Sequence, residues 1–396
     1  MAVITVDEAR DEVRRRALPI EEMEEVPLAE AAGRILAVPV RADRDDPPFD
    51  RAMMDGFAVR AEDTRNVPCE LQVVGRIAAG DAELPEVGPG GAAWINVGAP
   101  LPAGADAVVP VERTRDEVIV LASAQPGDNV LPTASLAQAG ELVAAGVLTP
   151  ERVAVCAAVG ADPVWVRRRP RVALLATGAE LQPQPGDHQI RNSNGPMLQA
   201  LLGAHYDVQD LGVAGDTSAS LQAALEVGLG ADVLVTTGGV SKGELDLVRP
   251  ELEARGVRVV FHRIQLQPGK PVLFGEHDDG VVFALPGNPV SARVCADLFV
   301  LPYLAARAGR SFDEVLTSAR ARLSGPVQGS PKRRRVFPCV LRGDEVDPLP
   351  WRGSADLYTV TASNAYIVIE IGHHLAAGAE VSCLVPERFG AQPFSS

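Results

Sequence analysis

Three short loops concentrate the residues that could do chemistry: Thr177-Gly178-Ala179-Glu180-Leu181, Thr237-Gly238-Gly239-Val240-Ser241 and Leu285-Pro286-Gly287-Asn288-Pro289-Val290-Ser291. Each follows an apolar, β-branched-rich run and precedes a helix-like pattern. Glu180, Asp246 and, more loosely, Asp216 follow strand ends and could converge on one crevice. Carboxylates so placed suit Mg²⁺, which takes one or two of them and fills its shell with water and substrate phosphate oxygens. Gly238, Gly239 and Gly287 leave backbone N–H groups open to an anion, and the helix starts that follow favour negative charge. Lys270, on the Pro-bracketed turn Gln267-Pro268-Gly269-Lys270-Pro271, adds a point charge. Together these residues suit a phosphate-bearing ligand with a divalent metal. On spacing alone the plainer reading, glycine turns and an ordinary acid at a helix start, stays open.

Other chemistries lack their signatures. There is no Gly-x-Gly-x-x-Gly after a strand and no Gly-x-x-x-x-Gly-Lys-Ser/Thr, which excludes the common dinucleotide and P-loop sites. No Gly-x-Ser-x-Gly elbow supports serine nucleophilic catalysis. His188, His205, His262, His277, His373 and His374 show no ligand spacing.

The elements that must position the loops alternate strand and helix from residue 170 to 309. Strands are expected at 171–176, 207–212, 232–236, 258–263, 271–274 and 281–285. Helices are expected from Asn194 as cap, from Asp216 or Thr217 to Gly228, over 244–255 and over 290–308. Such alternation means βαβ units with right-handed crossovers, and in an open parallel sheet ligands gather at the carboxyl ends of the strands. Before this unit, Thr5 and Glu8 form a capping-box pattern for a helix to about Arg16, and a short helix ends at Gly33. A strand is expected at 34–40. The loop at 45–59 is acidic and proline-rich yet carries Phe49, Met53, Met54 and Phe57, so it should be pinned against something. Short alternating segments at 71–74, 92–97, 107–111 and 118–121 suggest a small β module. Thr149-Pro150 starts a helix, 164–166 is a strand, and Arg167-Arg168-Arg169-Pro170 reads as a boundary. Strands at 336–341, 365–371 and 380–385 make a C-terminal β-barrel or sandwich.

At 396 residues there is room for several domains, and a 46% hydrophobic fraction is that of a globular chain. The formal net charge of −15 argues against nucleic acid or an anionic membrane as partner. The basic runs 167–169 and 332–335 are the candidates for a local cationic pocket. Cys69, Cys156, Cys295, Cys339 and Cys383 are scattered, with no Cys-x-x-Cys pair, as expected of free thiols in a reducing cytosol. No signal segment is evident, and a cytoplasmic location is expected.

Six ordered motifs carry a resemblance. They are Pro47-Pro48-Phe49-Asp50-Arg51 leading to Met54-Asp55-Gly56-Phe57, Gly98-Ala99-Pro100-Leu101-Pro102-Ala103-Gly104-Ala105-Asp106, Thr177-Gly178-x-Glu180-Leu181, Gly238-Gly239-Val240-Ser241, Pro268-Gly269-Lys270-Pro271, and the Leu285–Ser291 loop. Over nearly its whole length the chain resembles the molybdopterin molybdenumtransferases, the MoeA family, which includes the C-terminal domain of gephyrin. The resemblance implies an α/β plus β fold. Its centre would be a doubly wound, MoaB/Mog-like molybdopterin-binding domain at 169–318. Around it lie a discontinuous N-terminal domain at 1–45 and 142–168, a β-rich domain at 46–141, and a C-terminal β-barrel at 319–396. It implies a homodimer whose cleft takes the Asp55 loop from the second subunit. The implied reaction is Mg²⁺-assisted insertion of molybdate into adenylylated molybdopterin with release of AMP. By position, Asp55, Glu180 and Asp246 would be the catalytic acids, with Glu180 and Asp246 on the metal. Lys270, Pro271 and Ser291 would hold molybdate, and Gly238, Gly239 and Ser241 the pterin or its phosphate. Pro286, Gly287 and Asn288 complete the binding set. A Mog-like adenylyltransferase and cofactor-accepting enzymes would be partners.

The chain departs from the family pattern at named positions. Val97 replaces a Thr, Ala179 an acid, Gln267 a Lys, and the segment around Leu136 loses its acids; Lys242 is a candidate replacement for the lysine. Three lost hydrogen bonds to charged groups would cost about 4–9 kcal/mol if nothing compensates. A scaffold or adaptor dimer therefore stands as the alternative function.

Overall fold

The computed structural model describes residues 2–116, 118–215, 218–239, 247–278 and 280–387. The chain forms two compact units: Glu25–Val166, and the residues before and after it.

The first helix, α1 (Val6–Arg16), starts as the sequence predicts: the Thr5 hydroxyl accepts from the Glu8 N–H at 3.2 Å, and the Glu8 carboxylate accepts from the Thr5 N–H at 2.8 Å. Val6, Ala9 and Val13 form its buried stripe, three and four residues apart.

In the unit Glu25–Val166, β1 (Gly56–Val59), β2 (Gln72–Ile77), β3 (Gly91–Ile95) and β4 (Ala107–Pro110) form a sheet in the order β2-β3-β1-β4. β1 lies inside this sheet and is buried along its whole length. The helix α2 (Pro150–Ala158) is capped by Thr149, and Gly160 beyond it turns through φ +71°. The strand expected at 34–40 is not formed. Ile35 bridges Val147, Leu36 bridges Val166, and pairing as a strand begins only at Val40–Arg41. Partners that change from residue to residue, with Pro39 lacking an N–H, leave no ladder to build. The 45–59 loop corrects a second expectation: Phe57 is buried, but Phe49, Met53 and Met54 are exposed.

The α/β region of the other unit contains β5 (Arg171–Thr177), α3 (Asn194–Leu202), β6 (Asp207–Ala214), α4 (Ser218–Gly228), β7 (Val233–Thr237), α5 (Val248–Ala254), β8 (Arg258–His262), β9 (Leu273–His277), β10 (Gly280–Leu285) and the long helix α6 (Pro289–Arg307). The sheet order is β6-β5-β7-β10-β9-β8; the first four strands are parallel and the last two antiparallel. Residues alternate between two cores. Leu174, Val235 and Phe283 face the side holding α1, α3 and α6, while Leu175, Leu234 and Val282 face α4 and α5. Burial on both faces is why these strands read as continuous apolar runs.

α6 is long and apolar enough to cross a membrane, yet 89% of that stretch is buried inside the protein. It widens to a π turn over Ala296–Val300. Pro302 has no N–H to give to Leu298 four residues back, and the Arg10 guanidinium donates to the Leu298 carbonyl at 2.7 Å instead. Inside the π turn, Asp297 accepts from Arg293 Nε at 2.9 Å and from Tyr366 Oη at 2.7 Å.

Tyr366 belongs to the C-terminal barrel: β11 (Leu316–Leu323), β12 (Arg334–Arg342), β13 (Glu345–Pro348), β14 (Ala365–Ile369) and β15 (Glu380–Pro386). The ring runs β12-β13-β11-β15-β14 and closes by pairing β14 with β12. Leu266–Gln267 adds a short parallel bridge to the start of β12.

In the basic run 167–169 the arginine at the centre is held by acids of the chain itself. Arg168 lies on Glu22 and on buried Asp232, which also accepts from the Arg171 N–H at 2.7 Å. It is an ion-pair anchor for the start of β5.

Candidate functional site

The winding of the sheet reverses between β5 and β7, so the crevice expected for a ligand opens at Gly178 and Gly238. The Thr177 hydroxyl donates to the Thr237 carbonyl at 3.1 Å, and the Gly238 N–H donates to the Leu285 carbonyl at 3.1 Å. The Gly238 amide is therefore committed to the fold rather than open to an anion, contrary to the sequence expectation. Its lack of a side chain is still required: a Cβ there would stand 2.4 Å from the Thr177 carbonyl oxygen, at φ +87°. Asn194 does not cap α3 as predicted. It lies inside the first turn, the Asn192 carboxamide takes the Gly195 N–H at 2.9 Å, and Asn194 Nδ2 donates to the Gly287 carbonyl at 2.8 Å.

Glu180 is exposed at this edge, its backbone carbonyl tied to the Ile190 N–H at 2.8 Å. Beside it is a hollow of about 550 Å³ lined by Gly178, Ala179, Leu181, Arg191 and Asn192. Among the described residues no three His, Cys, Asp or Glu side chains are grouped to hold a metal. Asp246, Ser241, Lys242 and Asp216 lie outside the described residues.

A second cleft, about 450 Å³, brings together Lys270, Pro271, Pro286, Asn288 and Ser291 as the motifs predicted. Gly269 presses against α6, where a Cβ would come 2.6 Å from Cys295 Sγ. Asn288 Nδ2 donates to Ser354 Oγ at 2.9 Å and the Val290 N–H to the Ser354 carbonyl at 3.0 Å, docking the Gly287 loop onto the barrel. The barrel completes the wall with Arg333, Arg335, Trp351, Arg352 and Ser354. Trp351 and Arg352 carried no sequence signal, since they arrive from a loop more than sixty residues beyond the Gly287 motif. The run 332–335 did stand out, and the structure divides it: Lys332 is exposed, Arg333 and Arg335 line this cleft, and Arg334 turns to Asp7 and Glu370. Among the described residues the lining holds four cations and no carboxylate. Arg352 is paired to Asp356 at 3.2 Å; its guanidinium, with Thr359, holds the Asp356 carboxyl well below the usual range.

Asp55 stands in the other unit, exposed, before β1. Its Oδ1 accepts from Asn96 Nδ2 at 3.1 Å and from the Val97 N–H at 2.9 Å. Val97 thus lacks a hydroxyl but still serves the carboxylate through its backbone. Gly56 is obligatory, because a Cβ would lie 2.1 Å from the Val109 carbonyl oxygen.

A doubly wound domain with a crevice at its switch point, and a cationic cleft against a barrel, define a class of multidomain proteins built to suit anionic ligands. Three family descriptions match in order: the MoeA N-terminal region (domain I and II) over residues 4–160, a probable molybdopterin binding domain over 173–306, and the MoeA C-terminal region (domain IV) over 320–385. A molybdopterin molybdenumtransferase of Synechococcus elongatus is 35% identical, covering 91% of this chain and 93% of that one. Molybdopterin molybdenumtransferase 2 of Mycobacterium tuberculosis is 37% identical over 79% and 81%. The crystal structure of a molybdopterin biosynthesis MoeA protein from Pyrococcus horikosii superposes with a TM-score of 0.82 at 32% identity, covering 98% of this chain and all of that one. The chain belongs to the MoeA family, the molybdopterin molybdenumtransferases of molybdenum cofactor biosynthesis.

Proposed function

We propose that the protein inserts molybdate into adenylylated molybdopterin and releases AMP. The observation that carries this reading is the cationic cleft, where Lys270, Arg333 and Arg335 converge with Ser291 and Ser354. Cations and hydroxyls so arranged hold a tetrahedral oxyanion through charge-assisted hydrogen bonds. The crevice at Gly178, Gly238 and Gly239 would take the pterin nucleotide, with Ser241 beside it. Glu180 and Asp246 would hold Mg²⁺, which takes one or two carboxylates and neutralises phosphate charge when bound. Glu180 is exposed at the crevice edge, where a metal carried largely by substrate oxygens could reach it. Glu180 and Asp55 would orient the water that cleaves the phosphoanhydride. The reading carries with it a homodimer in which Asp55 is supplied by the second copy, a Mog-like supplier of substrate, and a cytoplasmic location.

The test is purified protein with adenylylated molybdopterin, molybdate and Mg²⁺, scored for AMP. Release above background is expected, with its loss in Glu180→Gln. A folded protein that releases none returns the adaptor alternative, and a Glu180→Gln variant of unchanged rate refutes the assignment of Glu180.

A further inference from the structure

The backbone on both sides of Asp55 is fixed by the sheet. The antiparallel pairing of β1 with β3 sets Gly56 opposite Ile95, and the same register carried one step further sets Asp55 opposite Asn96. The Asp55 carbonyl accepts from the Val111 N–H at 3.1 Å. Its carboxylate, exposed to solvent, is then held from the facing strand. Asn96 Nδ2 donates to Asp55 Oδ1 at 3.1 Å and the Val97 N–H donates to the same oxygen at 2.9 Å, while Oδ2 accepts neither bond.

An asparagine at the start of a turn commonly has a local purpose, because its carboxamide takes the N–H two residues on. That purpose is absent at Asn96. The N–H two residues on is that of Gly98, and it donates to the Ala52 carbonyl at 2.8 Å. The turn closes through backbone alone, Ala99 N–H to the Asn96 carbonyl at 3.0 Å, with Gly98 at φ +81°. Asn96 is itself anchored, its N–H donating to the Ile77 carbonyl at 3.0 Å. Other carboxylates of this unit tie loops through backbone N–H groups: Asp45 takes that of Ala139, Asp106 that of Ala61 and Asp128 that of Gln125. Asp55 has such a bond from Val97, and the Asn96 amide is a second donor from a different direction. One hydrogen bond leaves an exposed carboxylate free to turn about its side-chain bonds. Two donors on one oxygen fix its plane and leave the other oxygen to act.

We propose that Asn96 is a positioning residue for the transfer reaction, fixing the Asp55 carboxylate through Oδ1 so that Oδ2 meets the attacking water. The assignment rests on the transferase reading above, in which Asp55 helps to orient that water. A displacement of about 1 Å in such a group can cost about 100-fold in rate, so a donor that never touches substrate can govern turnover.

The experiment is steady-state AMP release by the full-length protein from adenylylated molybdopterin with molybdate and Mg²⁺, resolved into kcat and KM. Asn96→Ala should lower kcat about 10-fold with KM unchanged. That is the lower end for one hydrogen bond to a charged group, since the Val97 N–H remains. Asn96→Asp keeps the shape, removes the donor and sets a like charge against Oδ1, and should lower kcat further. In an Asp55→Asn background, Asn96→Ala should add little to the loss, because residues acting as one unit are not additive. Wild-type protein that releases no AMP overturns the transferase reading and this assignment together. With an active wild type, an unchanged kcat in Asn96→Ala, a rise in KM alone, or a fully additive loss overturns the positioning role and leaves the transferase reading standing. If Asn96→Ala fails to fold, the shape-matched Asn96→Asp decides: a folded variant with the wild-type kcat removes the role of the donor.

Discussion

Arg334 and Arg335 are neighbours on one strand and enter two different environments. Arg334 faces the cleft between α1, α6 and the barrel, where Asp313 pairs with Arg10, and Asp7 and Glu370 pair with Arg334, with Glu380 a further carboxylate in the lining. Arg335 faces the cleft of Lys270 and Ser291, whose lining among the described residues has no carboxylate. Strand alternation alone sends the two side chains apart. The difference between the clefts separates structural charges from functional ones. A charge answered within the chain contributes to stability, and a charge left unanswered is available to a ligand.

That contrast can be broken most severely at Asp297. Asp297→Ala takes the carboxylate from buried Arg293 and from Tyr366 Oη. Chemical denaturation should show a loss of about 3–5 kcal/mol, the usual result of removing one partner of a buried pair. A loss below about 1 kcal/mol would mean that water or Tyr366 replaces the carboxylate. Next comes Asp232. Burial raises its pKa, but the hydrogen bonds from Arg168 and Arg171 outweigh burial and hold it at about 2. A carboxylate depressed in the folded state stabilises fully above its unfolded pKa, about 3.9, and the contribution disappears as the pH falls through the folded value. Denaturation followed from pH 5 to pH 2 should therefore lose on the order of 2 kcal/mol more in the wild type than in Asp232→Asn. Equal slopes would remove Asp232 from the acid response. Arg334→Gln, which breaks a partly exposed network, should cost at most about 1 kcal/mol and leave oxyanion binding intact. The smallest stability effect is expected at Arg335→Gln, close to zero or slightly stabilising, since no carboxylate is lost. A destabilisation larger than that of Arg334→Gln would make Arg335 a structural residue and erase the contrast between the clefts.

Much of this is legible in the sequence. The α/β strands were readable because burial on both faces forces continuous apolar runs, and the caps at Thr5 and Thr149 because a helix start needs a side-chain acceptor. The glycines of the site were readable as glycines, but their reason was not. Gly238 permits close approach to Thr177, and its amide is already bound. The strand expected at 34–40 failed because pairing depends on which partners arrive, and periodicity does not specify them.

By itself the sequence determined which residues are chemically capable: Glu180, Lys270, Asn288 and Ser291 on loops after strands, Asp55 before a glycine, and a run of basic residues near the barrel. Sequence alone left undecided which of those cations meet a carboxylate inside the protein. The tertiary structure decided it, by pairing Arg168 with Asp232 and Arg334 with Asp7 while leaving Arg335 beside Lys270 and Ser291. Charge neutralisation is a property of separations of a few ångströms between residues hundreds of positions apart, such as the 327 between Asp7 and Arg334. No local pattern encodes such a separation.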